Sequence, residues 1–375
     1  MTFDVDKREF LKGLSLVQTI AGRKTTLPIL SHILLEWENN ALYLTTTDLE
    51  TGIREELPAT VDQPGKTSVS AKKLYEIVRE LPDQPIHIEK KENHWITLRC
   101  ERSTFNLAGL DPEEFPALPT FQASHFSQVP IRILREMMEK TVFAASSEES
   151  RYHLNGVLFL HAKEAGHNVL RMVATDGHRL SLVDREGQKI RGIEKGLIIP
   201  KKGVSEIKKI MADRHGDEEM EIYFDQTHGF FKIGKSLMVI RLIDGEFPDY
   251  DQVIPKENDK KVVVDKDKIF ACLRRVSTMA TERVEGIKFS LKTNGMDVSS
   301  YHQDFGDARE EVEVSYEGTP LEIGFNARYL MEALSVIDTG EILFELKDEG
   351  SPGMVRPASV TEPYRQLCII MPLRI

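Results

Sequence analysis

One pattern constrains this chain more than any other. The same short grammar recurs along its 375 residues at an interval of about 125–130. The stretches TSVSAKKLYEIVREL from Thr67, LIIPKKGVSEIKKIM from Leu197 and LEIGFNARYLMEALSVI from Leu321 each open with β-rich residues. They then reach Ser70, Pro200 or Asn326 and continue with apolar positions three and four apart. That succession predicts a strand running straight into an amphipathic helix. A second trio has the same form: FDVDKREFLKGLSLV from Phe3, VPIRILREMMEKTVF from Val129 and VVVDKDKIFACLRRV from Val262. Smaller marks keep the interval, TTDLE at Thr46 answering ATDGH at Ala174, and EEFPALP at Glu113 answering GEFPDYDQVIP at Gly245. After each helix come short β-rich runs broken by turns, such as PIHIEKK, WITLRC and TFNLAGL, and runs so connected pair antiparallel.

The expected fold is therefore α+β: three similar domains at about 1–125, 126–254 and 255–375, each with two helices and antiparallel sheets. Length alone gives two or three domains. Periods this long belong to arrays or closed rings of modules.

Charge follows the repeat. Six helix windows (7–24, 72–80, 131–141, 201–210, 266–276 and 326–337) hold 20 Lys and Arg against 8 Asp and Glu. The net charge of −11 thus divides into +12 on the helices and −23 elsewhere. A solvated helix face would carry lysines too, but this segregation points to helices facing a polyanion on an otherwise acidic body.

Composition narrows the class further. With 41% hydrophobic and 29% charged residues, and no apolar run near the roughly 20 residues that span a bilayer, the chain reads as soluble with no membrane partner. The start MTFDVDKREF shows no leader, and Cys100, Cys272 and Cys368 are scattered without a CxxC pair, so a reducing cytoplasm and buried thiols are expected.

Motifs for chemistry are weak. GFFKIGKS, Gly229 to Ser236, matches the phosphate-loop expression, yet Phe230, Phe231 and Ile233 fill its interior and LMVIRL follows as a strand. A hairpin turning near Gly234-Lys235-Ser236 fits better. ATDGHRLSL offers Asp176, His178 and Ser181 as a nominal triad, but residues this close seldom reach triad geometry, and Asp176-Gly177 is a turn pair. DGEFPDYD, from Asp244, misses calcium-loop spacing and reads as a loop anchored by Phe247 and Pro248. No catalytic residue, metal site or cofactor is expected, and a binding or scaffolding role is favoured. The rival is a nucleotide-dependent enzyme or hydrolase using Lys235 or Asp176/His178.

Several segments in order, RYHLNGVLF (151–159), VATDGHRLSL (173–182), IIPKKG (198–203), DGEFPDYDQVIP (244–255) and MPLRI (371–375), with TLPIL (26–30) and TTDLE (46–50), resemble the bacterial sliding clamps, the beta subunits of replicative DNA polymerase III. The resemblance spans the whole chain. It implies a homodimeric ring of six domains, helices inward, that encircles double-stranded DNA and tethers a polymerase without chemistry of its own. Twelve helices about 10 Å apart make a ring on the order of 38 Å across. Subtracting a helix radius of about 5 Å on each side leaves a hole of roughly 28 Å, and a duplex of about 20 Å fits with room for water.

The resemblance also implies site residues. A groove for short apolar peptides of the polymerase III alpha subunit, an ATP-dependent clamp loader, other polymerases and repair proteins maps onto Leu154, Thr175, Gly177, His178, Arg179, Leu180, Pro248, Gln252, Val253, Ile370, Met371, Pro372, Leu373 and Arg374. Gln252 stands where a basic residue is usual, and Ile375 where Leu is. DNA-facing candidates are Arg23, Lys24, Arg151, Tyr152, His153, Lys201 and Lys202, and the dimer contact maps onto Phe105, Leu107, Thr278 and Met279. The terminal IIMPLRI is expected to continue the last strand, with Met371, Pro372 and Leu373 on the groove wall beside Leu154 and Val253.

Overall fold

The computed structural model describes the chain except residues 23–26, 122–124, 165, 213, 281–284, 360–363 and 375. Among the described residues, a unit of strand, helix and three strands occurs six times. The first is β1 (Thr2–Val5), α1 (Lys7–Val17), β2 (His32–Glu38), β3 (Ala41–Thr47) and β4 (Thr51–Pro58), followed by β5 (Thr60–Val61). The second is β6 (Gly65–Ser70), α2 (Ala71–Glu80), β7 (Ile86–Lys90), β8 (Ile96–Cys100) and β9 (Ser103–Leu107), followed by β10 (Gly109–Leu110). The third is β11 (Ser127–Pro130), α3 (Ile131–Glu139), β12 (Gly156–Glu164), β13 (His167–Thr175) and β14 (Arg179–Glu186). The fourth is β15 (Leu197–Pro200), α4 (Lys201–Met211), β16 (Glu219–Phe224), β17 (His228–Ile233) and β18 (Ser236–Arg241). The fifth is β19 (Lys260–Asp265), α5 (Lys266–Val276), β20 (Gly286–Lys292), β21 (Gly295–His302) and β22 (Gly306–Glu313). The sixth is β23 (Leu321–Asn326), α6 (Ala327–Ser335), β24 (Glu341–Leu346), β25 (Gly353–Pro357) and β26 (Tyr364–Ile370).

Local chemistry explains the helix starts. Asp6 accepts from the Arg8 and Glu9 amides, Asp265 from Lys268 and Asn326 from Tyr329, each satisfying N–H groups that a first turn leaves open. Where proline precedes the helix, a distant carbonyl takes the first amide: Ile131 N–H donates to Glu218 and Lys201 N–H to Asn155. The buried positions of α1 (Phe10, Leu14, Val17) and α5 (Ile269, Cys272, Leu273, Val276) recur every three or four residues, as an amphipathic stripe must.

Tertiary pairing departs from chain order in a regular way. Successive units exchange their first strands: β1 pairs with β7 and β6 with β2, β11 with β16 and β15 with β12, β19 with β24 and β23 with β20, all antiparallel. Units three apart then join edge to edge, the first to the fourth through β4 and β18, the third to the sixth through β14 and β26. The sheets that result are β5-β1-β7-β8-β9, β10-β6-β2-β3-β4-β18-β17-β16-β11, β15-β12-β13-β14-β26-β25-β24-β19 and β22-β21-β20-β23. By packing the chain forms two compact units, Met1–Arg132 with Ile190–Gly192 and Ser205–Leu242, and Ile133–Lys189 with Ile193–Val204 and Ile243–Ile375. The repeat follows thirds of the sequence, whereas packing follows the sheets, because each long sheet takes strands from two thirds.

Candidate partner groove and edge strands

The candidate groove grows from alternation in the second compact unit. Leu158, Val173, Leu182 and Leu367 stand opposite one another across β12, β13, β14 and β26, and Leu180, Ile369 and Met354 form a second row on the same face. Ile243, Phe247, Tyr250, Val253 and Ile254 pack part-buried onto this face, with Tyr250–Val253 in a 3-10 turn. Those two rows make one apolar face, partly roofed by a chain segment. At one end a buried ion pair closes it. Arg171 donates through Nε to Asp184 Oδ1 (2.7 Å) and through Nη2 to Asp184 Oδ2 (2.8 Å) and Glu164 Oε2 (2.8 Å), while its Nη1 lies 3.5 Å from the Tyr250 hydroxyl. Burial alone would lower the guanidinium's proton affinity, but the Asp184 hydrogen bonds and charge raise it.

The sequence-derived groove residues do not all reach this face. Leu180 and Val253 belong to it. Arg179, one residue from Leu180, points to the opposite side: its guanidinium pairs with Asp176 and Glu332, donates to the Phe143 carbonyl (2.8 Å) and lies 4.4 Å from the Tyr329 ring centroid. Ile370 likewise packs with Cys368 in the core built on α5 and α6, on the other side of β26 from Ile369. Arg179 and Ile370 thus turn away from the face that carries Leu180 and Ile369, since successive side chains of a strand face opposite ways. Leu154 is buried but lies outside the apolar cluster. Thr175, Gly177 and His178 form the β13–β14 turn, where Gly177 has φ +88° and the Asp176 carboxylate accepts from the His178 and Arg179 amides. Pro248, Gln252 and Arg374 are exposed, and Gln252 donates to Asp249 (2.8 Å). The residues missed from the sequence, Leu158, Met354, Tyr250 and Arg171, carried one usable signal: a lone arginine in the apolar run NVLRMVAT must be paired if it is buried.

The tail also differs from expectation. β26 stops at Ile370; Met371 N–H donates to the His178 carbonyl (2.9 Å), and Leu373 bridges to Gly324 of β23. Proline at 372 has no amide for a ladder, so the strand cannot simply continue. Met371, Pro372 and Leu373 are half-buried.

Of the basic candidates, Arg23 and Lys24 lie outside the described residues. Lys201 turns its ammonium inward, donating to the Ala145 carbonyl (2.8 Å) and Ser147 Oγ (3.0 Å), and burial, aided by the Arg179 charge, lowers its pKa. In this geometry it caps the 142–147 segment. Lys202 is exposed on the first turn of α4. Arg151 reaches the Asp176 carbonyl (3.2 Å), and Tyr152, beside His153, is exposed.

Among the described residues, β9 and β22 are end strands whose outer edges make no ladder within the chain. β9 pairs only with β8, and β22 only with β21. Phe105 shares a face of β9 with buried Leu107 and is 38% exposed. Thr278 and Met279 sit in the 3-10 turn Ser277–Met279 after α5, where the Met279 methyl lies beside Gly306, the first residue of β22.

The chemical decoys resolve as structure. Gly234 and Lys235 make the β17–β18 hairpin turn, with Lys235 Nζ 2.9 Å from Glu56. Ser181 is buried and donates to the Lys140 carbonyl, apart from the Asp176 turn. All three cysteines are buried thiols. Among the described residues no His, Cys, Asp and Glu group could hold a metal, and no helix is long and apolar enough to cross a membrane.

Comparison with known proteins agrees along the full length. Family models of the DNA polymerase III beta subunit match its N-terminal domain at 1–119, central domain at 128–249 and C-terminal domain at 251–374. The beta sliding clamp of Caulobacter vibrioides is 35% identical and that of Pseudomonas putida 32%, each covering 100% of both chains. Among solved structures, a sliding clamp from Bartonella birtlesii bound to griselimycin superposes with a TM-score of 0.95 at 32% identity, and the clamp of Caulobacter crescentus with 0.94 at 35%, both covering 100% of each chain. With its sixfold strand–helix repeat, three matched domains and full-length relatives, this chain belongs to the DNA polymerase III beta subunit family, the beta sliding clamps.

Proposed function

We propose that the chain is a processivity clamp: a homodimeric ring of three-domain subunits, with domains at about 1–125, 126–254 and 255–375, that encircles duplex DNA and tethers the replicative polymerase in the cytoplasm. The observation that carries this reading is the junction rule. Units three apart join edge to edge, first to fourth and third to sixth, so the fifth, ending in β22, calls for a second unit ending in β9. The chain's own β9 and β22 are both open. A second copy answers the rule twice, and a two-fold pair of such contacts closes a ring and covers both edges.

Holding DNA topologically avoids tight phosphate contacts that would resist sliding. Basic helices such as α4 and α5 supply a sequence-blind attraction within a Debye length of about 8 Å. The apolar face around Leu180, Leu182 and Val253 suits short apolar peptides of the polymerase, clamp loader and repair proteins; Met354 helps one surface adapt to several. No step here is chemical, and ring opening falls to an ATP-driven loader.

The test is topological. Clamp loaded on a nicked circular duplex should stay bound through gel filtration and be lost once the circle is cut at a single site. Retention on the linear product would refute encirclement.

A further inference from the structure

The two open edges carry an unusual surface. Of the six exposed aromatic side chains among the described residues, Trp95, Phe105, Tyr301 and Phe305 stand at or beside β9 and β22. Phe305 is 76% exposed and Tyr301 68%, both at the tip of the β21–β22 hairpin, where Phe305 packs on the His302 ring with centroids 4.5 Å apart. Trp95, 40% exposed, immediately precedes β8. Isolated aromatics on a surface need no explanation, but clustering at an unpaired edge does.

Both junctions within the chain use their hairpin tips as well as their strands. At β4–β18 the Glu56 amide donates to the carbonyl of tip residue Lys235 (3.3 Å), whose ammonium pairs with Glu56, and Arg241 N–H donates to Glu50 of the β3–β4 tip (2.7 Å). At β14–β26 Met371 N–H donates to His178 of the β13–β14 tip (2.9 Å). A tip therefore reaches past its own edge onto the neighbouring unit.

We propose that the β21–β22 tip is a second anchor of the subunit contact, with Phe305 of one copy packing against Trp95 of the other and Tyr301 flanking it. The inference rests on the ring reading above. Ser236, first residue of β18 and core-facing, lies opposite Glu55 on the same face; the same register at the third junction sets core-side Gly306 opposite Phe105 and brings Phe305 level with Asn106, which pairs with Thr97, two residues along the same face from Trp95. Two strand spacings of about 4.8 Å separate β22 from β8, a gap that two aromatic side chains span. Alternation agrees: Met296, Val298 and Ser300 face the core, leaving Tyr301 on the outer face, and Ile96 and Leu98 do the same for Trp95. Phe105, on the inner face, is left for Met279 and Thr278. The occupant is thus a second copy of this chain, and the outer and inner faces of the joined sheet each receive their own aromatic anchor.

The experiment is sedimentation equilibrium of the full chain over a dilution series, for wild type, Phe305→Ser, Trp95→Ala and the double variant. Buried aromatic anchors commonly account for about tenfold or more in affinity, and the contact occurs twice per ring, so each single variant should raise the dimer Kd about 100-fold. The double variant should be no worse than the larger single, as expected of partners. Circular dichroism should be unchanged, both residues being exposed. Acrylamide quenching adds a second readout: of the two tryptophans Trp37 is buried, so dimerisation should shield Trp95 emission. A wild type that stays monomeric would overturn the ring reading itself. A wild-type dimer whose Kd is unmoved by Phe305→Ser and Trp95→Ala would leave the ring and overturn the anchor.

Discussion

Replacing Arg171 by Met should cost far more than any surface ion pair. The side chain is 5% exposed and faces Asp184 at 3%, with two hydrogen bonds of 2.7 and 2.8 Å in a fork. Methionine keeps most of the apolar stem but leaves the Asp184 carboxylate buried without a cation, which costs about 3–5 kcal/mol. Loss at Glu164 adds little, because that residue is 36% exposed and also pairs with Arg365. The companion Asp184→Leu removes the orphaned charge, so the double variant should recover to within about 1 kcal/mol of wild type, because apolar replacement of a whole buried pair is close to neutral. Native-state hydrogen exchange of the β13 and β14 amides reads this locally; tryptophan fluorescence would not, since Trp37 and Trp95 lie in the other compact unit. A single-variant loss below about 1 kcal/mol, or a double variant no better than the single, would refute a charge-pair origin for the order of this face.

Two further outcomes follow from buried ionisable groups. Burial pushes the Glu332 carboxyl up, but hydrogen bonds from Arg328 and Arg179 outweigh it and hold the group below its ordinary value. A depressed carboxylate stabilises the fold above its unfolded pKa of about 4.3 and loses that contribution as pH falls through the lower folded value. Melting temperature should therefore drop below about pH 4.3, and Glu332→Gln should flatten that limb; an unchanged acid limb would sink the assignment. Burial lifts the thiols of Cys272 and Cys368 to about 12 and about 11, so at pH 8 both stay almost wholly protonated and Ellman's reagent should label them at least about 100-fold more slowly than in denaturant. Rapid native labelling of either would contradict the packing described.

Local features were legible in the sequence because they depend on a few neighbouring residues. The strand–helix grammar, the Ser70 and Asn326 starts and the hairpin turn at Gly234-Lys235 all stand where spacing placed them. Which side chains share the candidate face was not legible, because residues adjacent in sequence are not neighbours in space: Leu180 and Arg179, or Ile369 and Ile370, are consecutive and face different layers. Lys201 shows the same limit, since charge in a helix window does not say which way a long side chain turns.

What the sequence determined by itself was the repeated unit, its α+β character and, through resemblance, the family. Only the tertiary structure decided the exchange of first strands, the β4–β18 and β14–β26 junctions and the open edges at β9 and β22. Periodicity is written residue by residue, but a strand's partner is chosen by long-range closure, in which every edge seeks a ladder and every apolar face a cover; that choice belongs to the whole chain at once.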